Sequence, residues 1–175
     1  GGESAGGHLS ALAAVSGNYP KFQPPEDPTA DTSVRGAVPN AGVYDFTDAK
    51  GHLKDIRASV LDVEVGVRPF VARVVLQKSF AEARDEFEEA SPSFHVSRIL
   101  KNNDAAAAKR LPPFLLMHGT LDALTAINDG RMFYSLIRDV RERFGMTDVR
   151  DAFIESNYAP HAFGYWVSPR SVAQA

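Results

Sequence analysis

Gly2-Glu3-Ser4-Ala5-Gly6 stands at the head of the chain and decides how the rest is read. G-x-S-x-G marks a tight turn from a strand into a helix, one that pushes a serine hydroxyl clear of the backbone. A serine hydroxyl is a poor nucleophile until a base takes its proton, and an attacked carbonyl must be able to reach it. The glycines two residues before and after the serine remove side chains that would clash inside such a turn. Residues 8–15 (HLSALAAV) are apolar and alanine-rich and predict a buried helix, stopped by Gly17-Asn18-Tyr19-Pro20. The amino terminus of that helix favours negative charge below Ser4. The amide N–H of Ala5 then falls where an oxyanion would develop. A phosphate cradle, the other common use of a glycine-rich turn, would end in Gly-Lys-Ser/Thr, and this one does not.

Working outward, residues 20–33 carry prolines, acids and threonines and read as a surface loop. Residues 34–43 (VRGAVPNAGV) read as a short strand and a turn, with Pro39 at its carboxyl end. Residues 53–61 and 74–87 look helical. The segment 45–90 shows no strand signal and is expected to be an insertion or partial cap, ended by Ala90-Ser91-Pro92. Residues 102–110 predict an exposed loop or short helix. Residues 114–117 (FLLM) suit a strand buried on both faces. Residues 129–144 have helical periodicity, with Met132, Phe133, Leu136, Ile137 and Val140 on one face. Residues 151–155 (DAFIE) predict a further strand, 157–163 a loop, and 168–175 the start of a last helix. Strands alternating with helices at these lengths argue for a parallel α/β sheet within a single, partial domain over 1–175. The strand that should lead into Ser4 is expected upstream of Gly1, so the amino-terminal strands are expected to be missing from this chain.

Two later features complete a chemical constellation. His118-Gly119-Thr120-Leu121-Asp122 follows the apolar strand directly, and an acid there lies at the sheet edge where α/β proteins place their sites. His161 lies in the loop after the next strand. The expected roles are Ser4 as nucleophile, His161 as general base and then acid, and Asp122 as the group that orients the imidazole. The remaining histidines have blander readings: His118 a structural role in its turn, His95 a structural contact, His8 packing beneath the elbow, His52 exposure. Their spacing offers no metal ligand pattern, so no metal or cofactor is expected. Asp129, at a helix start, and Asp45, after a strand, are weaker candidates for the acid. Glu3 is expected to make a structural contact. Phe70, Phe80, Phe87 and Phe94 either line an acyl pocket or pack the insertion onto the sheet.

The order Ser4, Asp122, His161 is that of an α/β-hydrolase triad, and the surrounding residues sharpen the likeness. Gly2-Glu3-Ser4-Ala5-Gly6-Gly7-His8-Leu9 resembles the elbow of carboxylesterases of the α/β-hydrolase superfamily, on the hormone-sensitive-lipase-like, bacterial lipase/esterase side. The similarity runs on through Ala37-Val38-Pro39, Gly42-Val43-Tyr44-Asp45-Phe46, Ala90-Ser91-Pro92 to His95-Val96, Pro112-Pro113-Phe114 to His118-Gly119-Thr120 and Asp122, and His161-Ala162-Phe163. The resemblance implies an α/β-hydrolase fold, a mostly parallel sheet with helices on both faces. It also implies hydrolysis of small-molecule carboxylic esters by a metal-free Ser-His-Asp mechanism through an acyl-enzyme. Relatives place a His-Gly-Gly-Gly-type oxyanion loop upstream of the elbow, and after the acid's turn carry Val-Pro where this chain has Ala123-Leu124-Thr125-Ala126. An amidase, arylformamidase or peptidase of the same fold is the first alternative. A catalytically inactive binding relative is the second.

Bulk composition narrows the field. With 175 residues, 44% hydrophobic and 23% charged, the profile is that of an ordinary globular domain. A net charge of −3 gives no electrostatic reason to expect nucleic acid as a partner. The absence of cysteine excludes disulfides and thiol catalysis. No apolar run is long enough to span a bilayer. Composition leaves oligomeric state and compartment open, with the cytoplasm as the default expectation.

Overall fold

A computed structural model describes residues 1–53, 55–58 and 63–161. Four parallel strands form the central sheet in the order β1 (Gly2–Glu3), β2 (Pro39–Asn40), β5 (Leu115–Gly119), β6 (Ala152–Ser156). Between β2 and β5 in the chain lies a separate antiparallel pair, β3 (Asp55–Ala58) and β4 (Val63–Gly66). Parallel neighbours need crossover connections, and helices supply them. These are α1 (Ala5–Val15), α4 (Pro92–Lys101), α5 (Ala105–Arg110) and α6 (Ile127–Arg143). The pair β3–β4 leads instead into short α2 (Val67–Phe70), a π-helical turn over Val71–Val75, and α3 (Arg84–Glu89).

The core follows from the two periodicities. Leu116 of β5 is buried under α6, whose Phe133, Ile137 and Val140 face inward as the 3.6-residue spacing predicts. Ala11 and Ala14 of α1, Val96 and Ile99 of α4, and Tyr44 complete this cluster. Tyr44 stacks on Phe133 with ring centroids 4.6 Å apart, and Phe114 meets the same ring edge-on at 5.7 Å. Alanine on α1 lets that helix lie close to the sheet. A second, smaller cluster joins Val43 and Phe46 to Leu53, Val71, Ala83 and Phe87, so most of the segment 45–90 has its own apolar centre.

Several expectations need correction. The end of the strand leading into Ser4 is present as β1. Pro39 opens β2 rather than closing it. The ladder explains why β2 is so short. Ala37 N–H donates to Pro113 O and Ala41 N–H to Met117 O, but Pro39, halfway between them, has no N–H to give. Within the helix expected over 53–61, Asp55–Ala58 is instead a strand, paired residue by residue with Val63–Gly66. The alternation in DIRA and VEVG is a period of two, which overrides the helical reading. Within 74–87, helix is confined to the end of the π-turn and the start of α3. Ser91-Pro92 does not only end the insertion. It opens α4, with proline in the first turn, where its missing N–H costs nothing. The short-helix alternative for 102–110 holds as α5, capped by Asp104, whose carboxylate accepts Ala107 N–H at 2.9 Å. The helix expected over 168–175 lies outside the described residues.

Candidate active site

Ser4 occupies the turn between β1 and α1 at φ 55° and ψ −117°, a conformation that non-glycine residues rarely adopt. The surroundings hold it there. Ser4 N–H donates to Asn40 O at 2.9 Å, and His8 N–H donates back to Ser4 O at 3.0 Å as the first helical turn closes. Serine at a helix amino terminus ordinarily turns its hydroxyl onto the helix amides. Here the side chain makes no capping bond and reaches His161 instead. The close approaches fall on Gly2 and Gly7. A Cβ on Gly2 would sit 2.5 Å from Gly6 O, and one on Gly7 would overlap the Asn40 carbonyl oxygen, whereas one on Gly6 meets nothing within 4 Å. The second glycine of the five-residue motif is thus not the one under steric demand among the described residues; the following glycine is.

Asp122 is delivered by the loop that leaves β5, and His161 by the loop that leaves β6. The two loops are sewn together. Thr120 N–H donates to Ser156 O and Leu121 N–H to Ala159 O, each at 3.0 Å, and Tyr158 N–H donates to the Thr120 hydroxyl at 2.9 Å. His161 Nδ1 lies 2.8 Å from Asp122 Oδ2, and His161 Nε2 lies 2.9 Å from Ser4 Oγ. An ionised carboxylate can only accept, so Nδ1 carries the proton and Nε2 presents a lone pair to the Ser4 hydroxyl. Residues from beyond three strand ends, 157 positions apart at the extremes, therefore form one hydrogen-bonded line.

Asp122 is enclosed by donors. Oδ1 accepts Leu124 N–H at 2.9 Å and Thr125 N–H at 2.8 Å. Oδ2 accepts from His161 and from the Thr125 hydroxyl, each at 2.8 Å, and lies 3.2 Å from His118 Nε2. Burial alone would push this carboxyl up, but hydrogen bonds from His118, His161 and Thr125 overcome it and hold the group well below the usual carboxylate range. His118 keeps its expected structural role, fully buried with Nε2 2.9 Å from Thr125 O. Sequence reasoning missed that it also touches the acid. The i,i+4 spacing of His118 and Asp122 was the available signal, but His118 lies on a strand end rather than a helix.

The other candidates fall away from the line. Asp129 is 1% exposed, and its carboxylate accepts Tyr44 N–H at 2.5 Å. Burial pushes it up to about 8, against the bonds from Tyr44 and Asp45. It is an acid of the first turn of α6, where Ala126 holds the N-cap position. Asp45 folds onto its own turn, accepting from Thr47 and Ala49. His8 stacks on Phe46 at 4.3 Å, with Nε2 2.7 Å from Ala90 O, and burial lowers its pKa. His95 is buried with Nε2 2.8 Å from Glu89 O, and burial lowers its pKa too. His52 is half-buried rather than exposed. Glu3 is half-buried beside the elbow. Phe80 and Phe87 pack edge-to-face at 5.5 Å and line a cleft of about 400 Å³ with Phe46 and Pro69, while Phe70 faces solvent and Phe94 sits on α4. Ala5 is the first residue of α1, so its N–H has no acceptor within the helix.

With this geometry in hand, comparison with known proteins is informative. The BD-FAE family model matches residues 1–137. This chain belongs to the BD-FAE family. LipM of Mycobacterium tuberculosis, described as a probable carboxylic ester hydrolase, is 34% identical over 174 residues, 99% of this chain and 34% of its own length. The esterase LipQ of the same organism is 32% identical over 176 residues, 99% of this chain and 35% of its own. The chain thus spans about a third of the length of the curated relatives it matches. Esterase 2 of Thermogutta terrifontis, solved phosphonylated by sarin, superposes with a TM-score of 0.61 at 21% identity, over 97% of this chain and 49% of that one. The BD-FAE chain therefore has the α/β-hydrolase fold, and it is similar in sequence to proteins described as esterases. Among the described residues, no helix is long and apolar enough to cross a membrane.

Proposed function

We propose that the protein hydrolyses small-molecule carboxylic esters, with Ser4, His161 and Asp122 as its catalytic triad. The observation that carries this reading is the unbroken line from Ser4 Oγ to His161 Nε2 at 2.9 Å and from His161 Nδ1 to Asp122 Oδ2 at 2.8 Å. As Ser4 Oγ bonds to the ester carbonyl carbon, its proton passes to His161 Nε2. The imidazolium formed is stabilised by the ionised Asp122. The carbonyl oxygen becomes an oxyanion, and the Ala5 N–H at the head of α1 donates to it, aided by the helix dipole. His161 then returns the proton to the departing alkoxide as the C–O bond breaks. Water attacks the acyl-Ser4 by the same route, with His161 again taking and returning the proton.

The segment 45–90, with its own apolar cluster, serves in this reading as a partial cap on the single domain formed by 1–175. Esters are preferred over amides as the substrate class because both curated relatives compared above are described as ester hydrolases or esterases. The test is p-nitrophenyl ester hydrolysis by the full-length protein and its Ser4→Ala variant. Loss of turnover to the uncatalysed background is expected. Undiminished turnover in the variant overturns the assignment.

A further inference from the structure

We infer that Thr125 is a positioning residue for the catalytic acid, its hydroxyl fixing Asp122 Oδ2. The inference rests on the triad reading above.

Thr125 is 3% exposed, so its hydroxyl must find partners inside the protein. It lies 2.8 Å from Asp122 Oδ2, 3.1 Å from Ala41 O, 3.2 Å from His161 Nδ1 and 3.3 Å from His118 Nε2. Proton counting sorts these contacts. Asp122 and the Ala41 carbonyl can only accept, and the hydroxyl has a single proton. The ionised carboxylate is both nearer and the stronger acceptor, so the proton goes to Oδ2. The two imidazole nitrogens are donors with acceptors of their own. His161 Nδ1 faces Asp122, and His118 Nε2 faces Thr125 O at 2.9 Å. The threonine lone pairs therefore look toward two N–H groups while its proton looks toward the acid.

Connectivity gives the arrangement its purpose. Ala41, at φ 45°, follows Asn40, whose carbonyl accepts Ser4 N–H, and Ala41 N–H itself donates to Met117 O. The hydrogen-bonded line begins one member before the acid: Thr125 to Asp122, Asp122 to His161, and His161 to Ser4. Thr125 acts on the acid directly, without passing through the imidazole. It also holds the acid by two routes, its N–H on Oδ1 and its hydroxyl on Oδ2, which pins the carboxylate against rotation. The charged or titratable groups about the hydroxyl are Asp122, His118 and His161.

The test compares Thr125→Val, which removes the hydroxyl at nearly constant shape, with Thr125→Ser, which keeps it, in the full-length protein. Thr125→Val is expected to lower kcat about tenfold, the worth of one hydrogen bond to a charged group, with KM within twofold. Thr125→Ser is expected to restore kcat to within about threefold of the parent. The low-field proton resonance of His161 Nδ1–H is expected to be sharp in the parent and Ser proteins and broadened in the Val protein. Should the Val protein fail to fold, Thr125→Ala against Thr125→Ser repeats the comparison. Unchanged kcat and an unchanged resonance without the hydroxyl overturn the inference, as does a Ser variant as impaired as the Val one, which would make the role one of packing. The resonance does not depend on turnover. An active Ser4→Ala protein would therefore sink the triad reading while leaving the Thr125 result legible.

Discussion

At the scale of single residues, the site is a set of constrained protons. Asp122 accepts on both oxygens, and this makes the carboxylate, rather than the acid, its resting form. Asp122→Asn replaces an acceptor with an amide that can turn an N–H toward His161 Nδ1 and reverse the tautomer. A fall in kcat of about 10⁴-fold with little change in KM is expected, as in other triads. Steady-state kinetics of the full-length variant check it, and a loss under tenfold would remove Asp122 from the triad. Asp129 behaves oppositely. Its folded-state pKa is raised from 3.8 to about 8, chiefly by burial. The folded protein holds this proton after the unfolded chain has released it, so the group's contribution to stability falls as pH rises from about 4 to about 8. Urea unfolding across that range should show this slope in the parent and a flatter profile in Asp129→Asn. Identical slopes would contradict the assignment.

At the scale of elements, what could be read in the sequence depended on whether one chemical pattern ruled a segment. The elbow, the apolar run of β5 and the amphipathic α6 each obey a single period or motif, and all three fall where expected. The insertion does not. DIRA and VEVG alternate over only four residues each, too briefly to outweigh the helix formers around them, and so β3 and β4 went unseen. The reading of Ser91-Pro92 failed for a different reason. Proline marks both ends and beginnings, and the Ser91 hydroxyl is spent on Phe46 N–H and Phe87 O rather than on a helix cap. Arg141 was missed altogether because its meaning is tertiary. Late in α6, it bonds Asp151 at 2.9 Å, Leu111 O at 2.9 Å and Pro112 O at 2.6 Å, clamping the entries to β5 and β6. Arg141→Ala leaves Asp151 and two carbonyls without this partner in a buried setting, and a loss of about 3–5 kcal/mol is expected. Denaturant unfolding of the full-length protein checks it, and a loss below about 1 kcal/mol would show the clamp to be incidental. Lysine should not rescue, since it cannot span three acceptors with a planar fork.

At the scale of the whole molecule, the parallel sheet does the work of assembly. Its strands end together, so the turn after β1, the loop after β5 and the loop after β6 converge, and residues distant in sequence meet within hydrogen-bonding range. The three residues of the hydrogen-bonded line were legible as candidates because each lies just past a strand end. Their supports were not, because Thr125, His118 and Gly7 act through contacts that only the folded chain creates. The central claim is that this convergence makes Ser4 an activated nucleophile. Treatment of the full-length protein with a fluorophosphonate, followed by peptide mapping, tests it most directly. One covalent adduct is expected, on Ser4, formed far more slowly in His161→Ala. An adduct on a different serine, or none while the protein remains folded, would contradict it.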